Sequence, residues 1–306
     1  MLVIAKPSAL RSGDRVAVVA PASPFQSEVF EQGVAELIEL GYEPVFDDRI
    51  FERKMYLAGS IETRASSLID AWSDRSIAGI ISVRGGYGSA QLLPLIDPKV
   101  ILANTKVFIG CSDLTSWLTF LTIGCGIVGI HGPMLINLAD KGYDRRSLLS
   151  AVSTPQPMES LAPEGLEVIK PGEARGRLLG GTLTQLVASL STPYAFTPTT
   201  DYVLLLDDVE ELPYRLDRML TQLLQAGVFR RAVAVVCAEF PGCRDHFGRD
   251  ARNVVEERLS GFSGPILFGF PTGHTAGPVW TLPLGLAVSV QTSPRPALIV
   301  EENAVR

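Results

Sequence analysis

The stretch Val107-Phe108-Ile109-Gly110-Cys111-Ser112-Asp113 predicts a buried strand that stops at a glycine and delivers a serine to a sharp turn. Apolar residues at helical spacing follow at Leu114, Trp117 and Leu118, so a helix is expected directly after the turn. A serine at such a strand-to-helix turn has an exposed hydroxyl and is a candidate nucleophile. Serine and aspartate are also ordinary helix N-caps, and these residues alone leave both interpretations open.

Strands and helices alternate on both sides of this turn. Apolar strands are predicted at residues 14–20, 43–46, 77–83, 107–110 and 126–130, and helices at 28–40, 61–72 and 89–95. Strands that are apolar on both faces and alternate with helices form parallel sheets covered on both sides. We therefore predict an α/β protein whose residues 1–150 form a flavodoxin-like, parallel-sheet domain.

A second domain is predicted after a break in the pattern. Prolines 155, 157 and 163 interrupt residues 151–170, which are interpreted as a linker. Residues 171–306 follow as a strand-rich α/β domain, with strands at 202–206, 232–238 and 265–270 and helices at 184–190 and 213–225.

Composition excludes several classes of function. The 306 residues include 33 acidic and 27 basic side chains, a net charge of -6, and no long basic run, which argues against nucleic acid or an anionic membrane as a partner. No secretory leader and no run of about 18 apolar residues is seen, so a cytoplasmic protein is expected. The four cysteines lack C-x-x-C spacing and are interpreted as reduced thiols.

The segment Arg84-Gly85-Gly86-Tyr87-Gly88 follows the third predicted strand. Glycines at the carboxyl end of a parallel strand let the backbone approach a ligand closely, with amide N–H groups free to point at it. A phosphate cradle is one possibility. However, the chain contains neither a complete G-x-G-x-x-G nor G-x-x-x-x-G-K-[ST], so a nucleotide site is not favoured.

A serine nucleophile needs a base and an acid that orients the base. Of the three histidines, His274 is favoured because it lies in a glycine-flanked loop after a strand, whereas His246 is in a polar segment and His131 is at a strand end. Asp207 and Asp208 end an apolar strand and could orient His274, or could instead cap the following helix. No histidine or cysteine pair has metal-ligand spacing, and no cofactor is expected.

Taken together, the motifs resemble the LD-carboxypeptidase family of serine peptidases, which includes muramoyltetrapeptide carboxypeptidases and microcin C immunity peptidases. The resemblance covers nearly the whole chain and is carried by five segments, 84–88, 110–113, 132–134, 206–215 and 273–285. It implies a site in the cleft between two domains. It also implies release of a terminal D-amino acid, D-alanine, from a cytoplasmic muropeptide during peptidoglycan recycling, with no metal or organic cofactor.

The resemblance also implies roles for individual residues. Ser112 matches the nucleophile, His274 the general base and Asp207 the position of the family's glutamate, with Glu210 or Glu211 as alternatives. Backbone amides of Gly86 and Asp113 would form the oxyanion hole, and Arg84 and Tyr87 would line the pocket. Arg84 is a candidate partner for the substrate's terminal carboxylate. Thr182 stands where relatives commonly have Asn, and either a substrate contact or a local turn could be affected.

Two other functions remain open on the sequence. One is a microcin-immunity-type peptidase acting on peptidyl or aminoacyl nucleotides, for which Trp280 is the obvious aromatic candidate near the site. The other is a non-catalytic small-ligand-binding protein in which Ser112 is only a helix cap. A homodimer is expected as the common default for soluble proteins.

Overall fold

The computed structural model describes residues 4–306, which fold into two β-sheets with flanking helices. The strands are β1 (Arg15–Val19), β2 (Glu43–Val45), β3 (Ile77–Ser82), β4 (Val107–Gly110), β5 (Gly129–His131), β6 (Glu167–Lys170), β7 (Glu173–Thr182), β8 (Tyr202–Asp207), β9 (Ala232–Ala238), β10 (Ile266–Phe270), β11 (Leu282–Leu284), β12 (Ala287–Gln291) and β13 (Ala297–Val300).

The helices lie between these strands in chain order. They are α1 (Ser27–Glu39), α2 (Ile61–Ser73), α3 (Pro98–Ala103), α4 (Thr115–Thr119), α5 (Leu135–Ala139), α6 (Arg145–Ser153), α7 (Leu183–Ser189), α8 (Pro213–Gln225) and α9 (Ala251–Arg258). Residues 89–95, predicted to be helical, form a 3-10 helix, and α4 continues as a π-helical turn over Phe120–Gly124.

The first sheet has the order β11-β5-β4-β3-β1-β2. All of its pairs are parallel except β11 with β5. The order of the first five strands, β2-β1-β3-β4-β5, is that of flavodoxin-like folds. The predicted fold of the N-terminal half is therefore confirmed, and β4, which precedes Ser112, lies inside the sheet.

The second sheet has the order β13-β12-β7-β8-β9-β10-β6. Its four inner strands, β7 to β10, are parallel, and the three outer strands are antiparallel to their neighbours. Strand β8 lies at its centre and is buried along its whole length. The predicted strand-rich α/β architecture of the C-terminal half is also confirmed.

The two sheets share a hydrophobic core. Along β8, Val203 and Leu205 join a cluster that also contains side chains of the first sheet, whereas Leu204 and Leu206 join a second cluster with α7, α8 and α9. This alternation follows from the two-residue period of a strand. Asp207 is thus the polar end of a strand that is packed on both faces.

The segment 151–170, predicted to be a linker, contains regular structure at both ends. Helix α6 extends to Ser153, and β6 pairs with β10 in the second sheet. Met158 and Leu161 between them are buried, and Leu161 bridges Leu298. The sequence did not predict this structure because prolines interrupt the apolar periodicity that indicates a strand. The domain boundaries at residues 150 and 171 stay a prediction.

Helices α1 and α5 pack closely at Gly33. A Cβ atom built on Gly33 would lie 2.5 Å from the Leu135 carbonyl oxygen and 2.6 Å from Leu135 Cγ. Glycine in a helix interior is otherwise unfavourable by about 1 kcal/mol relative to alanine. Its presence in α1 therefore follows from the close approach of α5. Helix α5 begins directly after Met134, which lines the same cavity as Ser112.

We predict that Gly33→Ala lowers the free energy of unfolding by about 1–3 kcal/mol, because overpacking against the backbone of α5 outweighs the gain in helix propensity. Urea unfolding followed by circular dichroism measures the change. Gln32→Ala, at the exposed neighbouring position of α1, is the control and should leave stability within about 0.5 kcal/mol. A Gly33→Ala variant more stable than the parent would contradict the close packing.

Candidate active site

Ser112 occupies a strained turn at the end of β4. Its φ angle is +60°, a left-handed conformation that is unfavourable for a residue with a side chain. A 3-10 helix, Ser112–Leu114, begins at this residue and leads into α4, and no side chain caps it. The Ser112 hydroxyl therefore does not act as a helix cap, and the cap interpretation is wrong.

The Ser112 hydroxyl instead meets the imidazole of His274. Ser112 Oγ lies 3.1 Å from Nε2 of His274, and Nδ1 of the same ring lies 3.0 Å from Asp207 Oδ2. Because an ionised carboxylate only accepts hydrogen bonds, Nδ1 carries the proton and Nε2 is free to accept one from Ser112. Hydroxyl, imidazole and carboxylate are thus arranged in series, which is the geometry of a base-activated serine.

Asp207 is completely buried and accepts hydrogen bonds from three donors. Its carboxylate receives the backbone N–H of His274 at 2.9 Å, the His274 ring, and the Thr182 hydroxyl at 2.9 Å. The close approach depends on Gly273, whose φ is +65° and whose Cβ, if present, would lie 2.6 Å from Asp207 Cγ. A glycine at 273 is therefore required for the carboxylate to reach the imidazole.

The pKa values of Asp207 and His274 are shifted in opposite directions. Burial alone raises the pKa of the Asp207 carboxyl, but the hydrogen bonds from His274 and the positive charge of its ring lower that pKa below its ordinary value. Burial alone lowers the pKa of His274, but the hydrogen bond and charge of Asp207, with the charge of Asp208, raise it above its ordinary value. The site is therefore built to stabilise a protonated imidazole beside an ionised carboxylate.

The neighbouring acids have different positions from Asp207. Asp208 accepts hydrogen bonds from the Thr184 amide and hydroxyl, at 2.9 and 2.7 Å, and so caps the start of α7. The expected alternative, a cap on the following helix α8, is wrong for both aspartates, because no side chain caps α8. Glu211 lines the cavity and forms an ion pair with Arg215. Of the four candidate acids, Asp207, Asp208, Glu210 and Glu211, Asp207 is the one hydrogen-bonded to His274.

The glycine turn that contains Gly86 packs against Ser112 and Asp113. A Cβ built on Gly85 would lie 2.7 Å from Ser112 Cβ and 3.1 Å from the Asp113 amide nitrogen, so the glycine turn packs directly on the serine. Asp113 is in the first turn of its helix, where an amide N–H has no acceptor within the helix. Gly86, with φ +104°, is the next residue of the same turn.

The Asp113 side chain holds this arrangement together. Its buried carboxylate accepts hydrogen bonds from the Ser89 amide at 2.8 Å, at the end of the glycine turn, and from Gln185 Nε2 at 3.1 Å on α7. One carboxylate thus joins the glycine turn, the serine helix and the second sheet's first helix. The sequence predicted an oxyanion role for the Asp113 amide or a capping role for its side chain, and it gave no indication of the contact with Gln185.

A cavity of about 710 Å³ opens over Ser112 and His274. Arg84, Gly86, Asp113 and Thr182 are among its other lining residues. Asp207 is fully buried and is connected to the cavity through His274. Tyr87 is not among the lining residues, and its contact with a substrate stays a prediction. Its amide donates a hydrogen bond to Ser23 Oγ at 3.1 Å, the residue is 51% exposed, and its ring packs edge-on against Tyr56.

The Arg84 side chain is half-buried at the edge of this cavity. Its Nε is buried without a hydrogen-bond partner, and its remaining contact is a long one, 3.4 Å, to the Pro24 carbonyl. No carboxylate of the described residues forms an ion pair with it. A guanidinium in this state is disposed to bind an anionic group from outside the chain.

The other candidate groups are buried or distant. Burial raises the pKa of the Cys111 thiol and keeps it protonated, as expected for a core cysteine. His131 is fully buried, burial lowers its pKa to about 4, and neither ring nitrogen forms a hydrogen bond within residues 4–306. His246 is exposed on a loop beside Phe247, as predicted.

The part of the chain that the structure describes contains neither a candidate metal-binding cluster nor a candidate membrane-spanning helix. There, no group of three or more histidine, cysteine, aspartate or glutamate side chains is placed to hold a metal ion. No helix within residues 4–306 is long and apolar enough to cross a membrane.

The sequence matches one protein family in both halves. Residues 16–132 match the LD-carboxypeptidase N-terminal domain, and residues 175–290 match the LD-carboxypeptidase C-terminal domain. The two matched segments contain Ser112, Asp207 and His274.

Individual relatives agree with this match. A Bacillus subtilis protein named "Probable murein peptide carboxypeptidase" is 31% identical, over 98% of this chain and 97% of its own length. The murein tetrapeptide carboxypeptidase of Pseudomonas aeruginosa is 30% identical, over 86% of this chain and 88% of its own. The fold resembles that of the microcin C7 self-immunity protein MccF, with a TM-score of 0.88 at 24% identity, covering 98% and 99% of the two chains.

We predict that Asp207→Asn lowers the pKa of His274, because the substitution removes the negative charge that stabilises the imidazolium. Histidine titrations followed by NMR, with the His274 signal assigned from a His274→Gln variant, measure the change. Asp201→Asn, a carboxylate exposed at the opposite end of β8, is the control and should leave that pKa unchanged. An unaltered His274 pKa in Asp207→Asn would show that the two side chains do not interact in solution.

Proposed function

The chain belongs to the LD-carboxypeptidase family, and we propose that it is a serine carboxypeptidase that hydrolyses the bond between an L-centre and a terminal D-amino acid. The proposed substrate is a muropeptide that releases D-alanine, in the cytoplasm, during peptidoglycan recycling. The observation that carries the proposal is the contact of Ser112 Oγ with His274 Nε2, whose other nitrogen is bound by a buried carboxylate.

In the proposed reaction, Ser112 Oγ attacks the scissile carbonyl while His274 Nε2 takes its proton. His274 then gives that proton to the leaving amine, and an acyl group remains on Ser112 until water, activated by the same imidazole, releases it. Asp207 stabilises the transient imidazolium and keeps the ring in the required tautomer. The amides of Gly86 and Asp113 would receive the oxyanion, a contribution of about 3–4 kcal/mol per donor in other serine peptidases.

The proposed chemistry needs the neutral imidazole, because only that form accepts the serine proton. Since Asp207 raises the pKa of His274 above its ordinary value of about 6.5, activity is lost as the pH falls through a correspondingly higher pKa. The acidic limb of the pH profile therefore reports on the pair rather than on a free histidine.

Recognition of the substrate's terminal carboxylate is proposed for Arg84. The side chain lines the same cavity as Ser112 and forms no ion pair with any of the described residues. A cation in this cavity would let a carboxypeptidase distinguish a chain end from an internal peptide, and a planar guanidinium can bind both carboxylate oxygens. A homodimer stays a prediction.

Cleavage of a peptidyl nucleotide is less well supported. A base would be expected to stack on an aromatic ring, yet His274 is the single ring among the described residues lining the cavity. Trp280, the expected candidate, is not among them and packs on Phe270 with 6.2 Å between ring centroids. This composition of the wall favours a peptide over a nucleotide, and it also gives a non-catalytic nucleotide-binding role little support.

We predict that Ser112→Ala lowers kcat for D-alanine release by at least about 10⁴-fold while the protein stays folded, because the nucleophile is removed. Release of D-alanine from lysine- and diaminopimelate-containing muramoyl tetrapeptides, compared with cleavage of an aminoacyl nucleotide analogue, identifies the reaction. Ser260→Ala, at an exposed loop position, is the matched control. A folded Ser112→Ala protein with normal turnover would refute the serine mechanism, and turnover of the nucleotide alone would replace the proposed substrate.

We predict that Arg84→Gln lowers kcat/KM for the tetrapeptide by about 10- to 100-fold, since a charged hydrogen-bonded contact is lost. The parent enzyme should discriminate against a tetrapeptide with an amidated C-terminus by a similar factor, and Arg84→Gln should not discriminate. Arg75→Gln, on the exposed surface, is the control. Equal discrimination in Arg84→Gln and the parent would show that another group binds the terminal carboxylate.

A further inference from the structure

Thr182 lies at the end of β7, beside the end of β8 that carries Asp207. The two strands are parallel, and Thr182 is paired with Asp207 in the register. Thr182 is buried and is also one of the residues that line the cavity. Thr182 therefore contacts the site, and the strand pairing of the sheet holds it in place.

Two hydrogen bonds make Thr182 a bridge between the two halves of the site. Its hydroxyl donates to Asp207 Oδ2 at 2.9 Å, and its backbone N–H donates to Thr115 Oγ1 at 3.0 Å. Thr115 is the first residue of α4, three residues after Ser112, and is itself buried. The serine helix and the buried acid are thus connected through Thr182 as well as through His274.

These contacts close a ring. From Ser112 the hydrogen bonds run through His274 to Asp207, from there through Thr182 to Thr115, and the short helix leads from Thr115 back to Ser112. Asp207 and Thr182 belong to the second sheet, whereas Ser112 and Thr115 follow a strand of the first. The ring therefore sets the distance between the two sheets where the chemistry takes place.

We propose that Thr182 is a positioning residue that fixes the Asp207 carboxylate and ties it to the helix of Ser112, an inference that rests on the proposed serine mechanism. Rotation of a carboxylate about its last side-chain bond is only weakly restricted by the chain itself. A donor on Oδ2 restricts it, and so keeps both oxygens directed at the ring and amide of His274. Thr182 acts through Asp207 and takes no part in bond making.

The Thr182 hydroxyl also weakens the field that Asp207 exerts on His274, because a donor on the carboxylate competes with the imidazolium for its negative charge. The other titratable groups that act on this pair are His131 and Asp208, with the thiols of Cys111 and Cys243 nearby. None of them contacts the Thr182 hydroxyl, whose hydrogen bond goes to Asp207. Removal of this hydroxyl should therefore change the titration of His274 through Asp207.

The test compares Thr182→Val, which replaces the hydroxyl by a methyl group, with Thr182→Ser, which retains it. We expect Thr182→Val to lower kcat by about 10- to 100-fold with little change in KM, the range for loss of a hydrogen bond to a charged group. The acidic limb of its pH profile should move to higher pH, because the pKa of His274 rises. Thr182→Ser should stay within about threefold of the parent, given that a hydrogen-bonding hydroxyl is preserved.

Thr221→Val is the matched control, because Thr221 Oγ1 also bonds an aspartate, Asp217 at 3.3 Å, on α8 away from the site. It should leave kcat and the pH profile unchanged. If the valine methyl crowds the carboxylate and impairs folding, Thr182→Ala deletes the same hydroxyl without adding a group, and the same results are expected of it.

Two results would overturn the inference. One is a folded Thr182→Val or Thr182→Ala protein with the parent's kcat and pH profile. The other is an equal loss in Thr182→Val and Thr182→Ser with the acidic limb unmoved, which would mean that Thr182 only fills space. The His274 pKa can also be read by NMR without turnover, so a failure of the proposed carboxypeptidase activity is distinguishable from a failure of the Thr182 inference.

Discussion

The buried carboxylate of Asp207 is the constraint on which the rest of the site depends. A charge removed from water is strongly unfavourable unless it is paired and hydrogen-bonded. The donors that satisfy it come from a loop, His274, and from a strand end, Thr182, and the loop can reach it only because residue 273 is a glycine. The requirement to compensate one charge thereby fixes the position of the imidazole, and the imidazole meets the hydroxyl of Ser112.

Strain at Ser112 is maintained by the same packing. A left-handed residue with a side chain persists only where its surroundings determine its conformation more strongly than its own preference, which is of order 1–3 kcal/mol. Here β4 is held inside a parallel sheet on one side, and the glycine turn presses on the serine from the other. The buried Asp113 carboxylate links that turn to α7, so the strained residue lies between elements of both sheets.

Much of this could be predicted from the sequence, and the remainder depended on contacts that a sequence does not display. Ser112, Asp207 and His274 each follow or end an apolar run, so periodicity located them at strand ends, and the family resemblance supplied their order. Nothing in the sequence indicates that the Tyr87 amide bonds to Ser23 or that the Tyr87 ring packs on Tyr56. Thr115 and Gln185 were missed because their importance comes from pairing between segments about 70 residues apart.

The distribution of the site over two sheets has a consequence for its chemistry. Neither sheet alone contains a nucleophile with its base: the first supplies Ser112 and the glycine turn, the second supplies Asp207, and the loop of His274 lies between β10 and β11, which belong to different sheets. A small shift of one sheet relative to the other would lengthen the Ser112–His274 contact. Hydrogen bonds that cross the boundary, Thr182 to Thr115 and Gln185 to Asp113, are therefore the contacts best placed to keep the hydroxyl and imidazole within reach of each other.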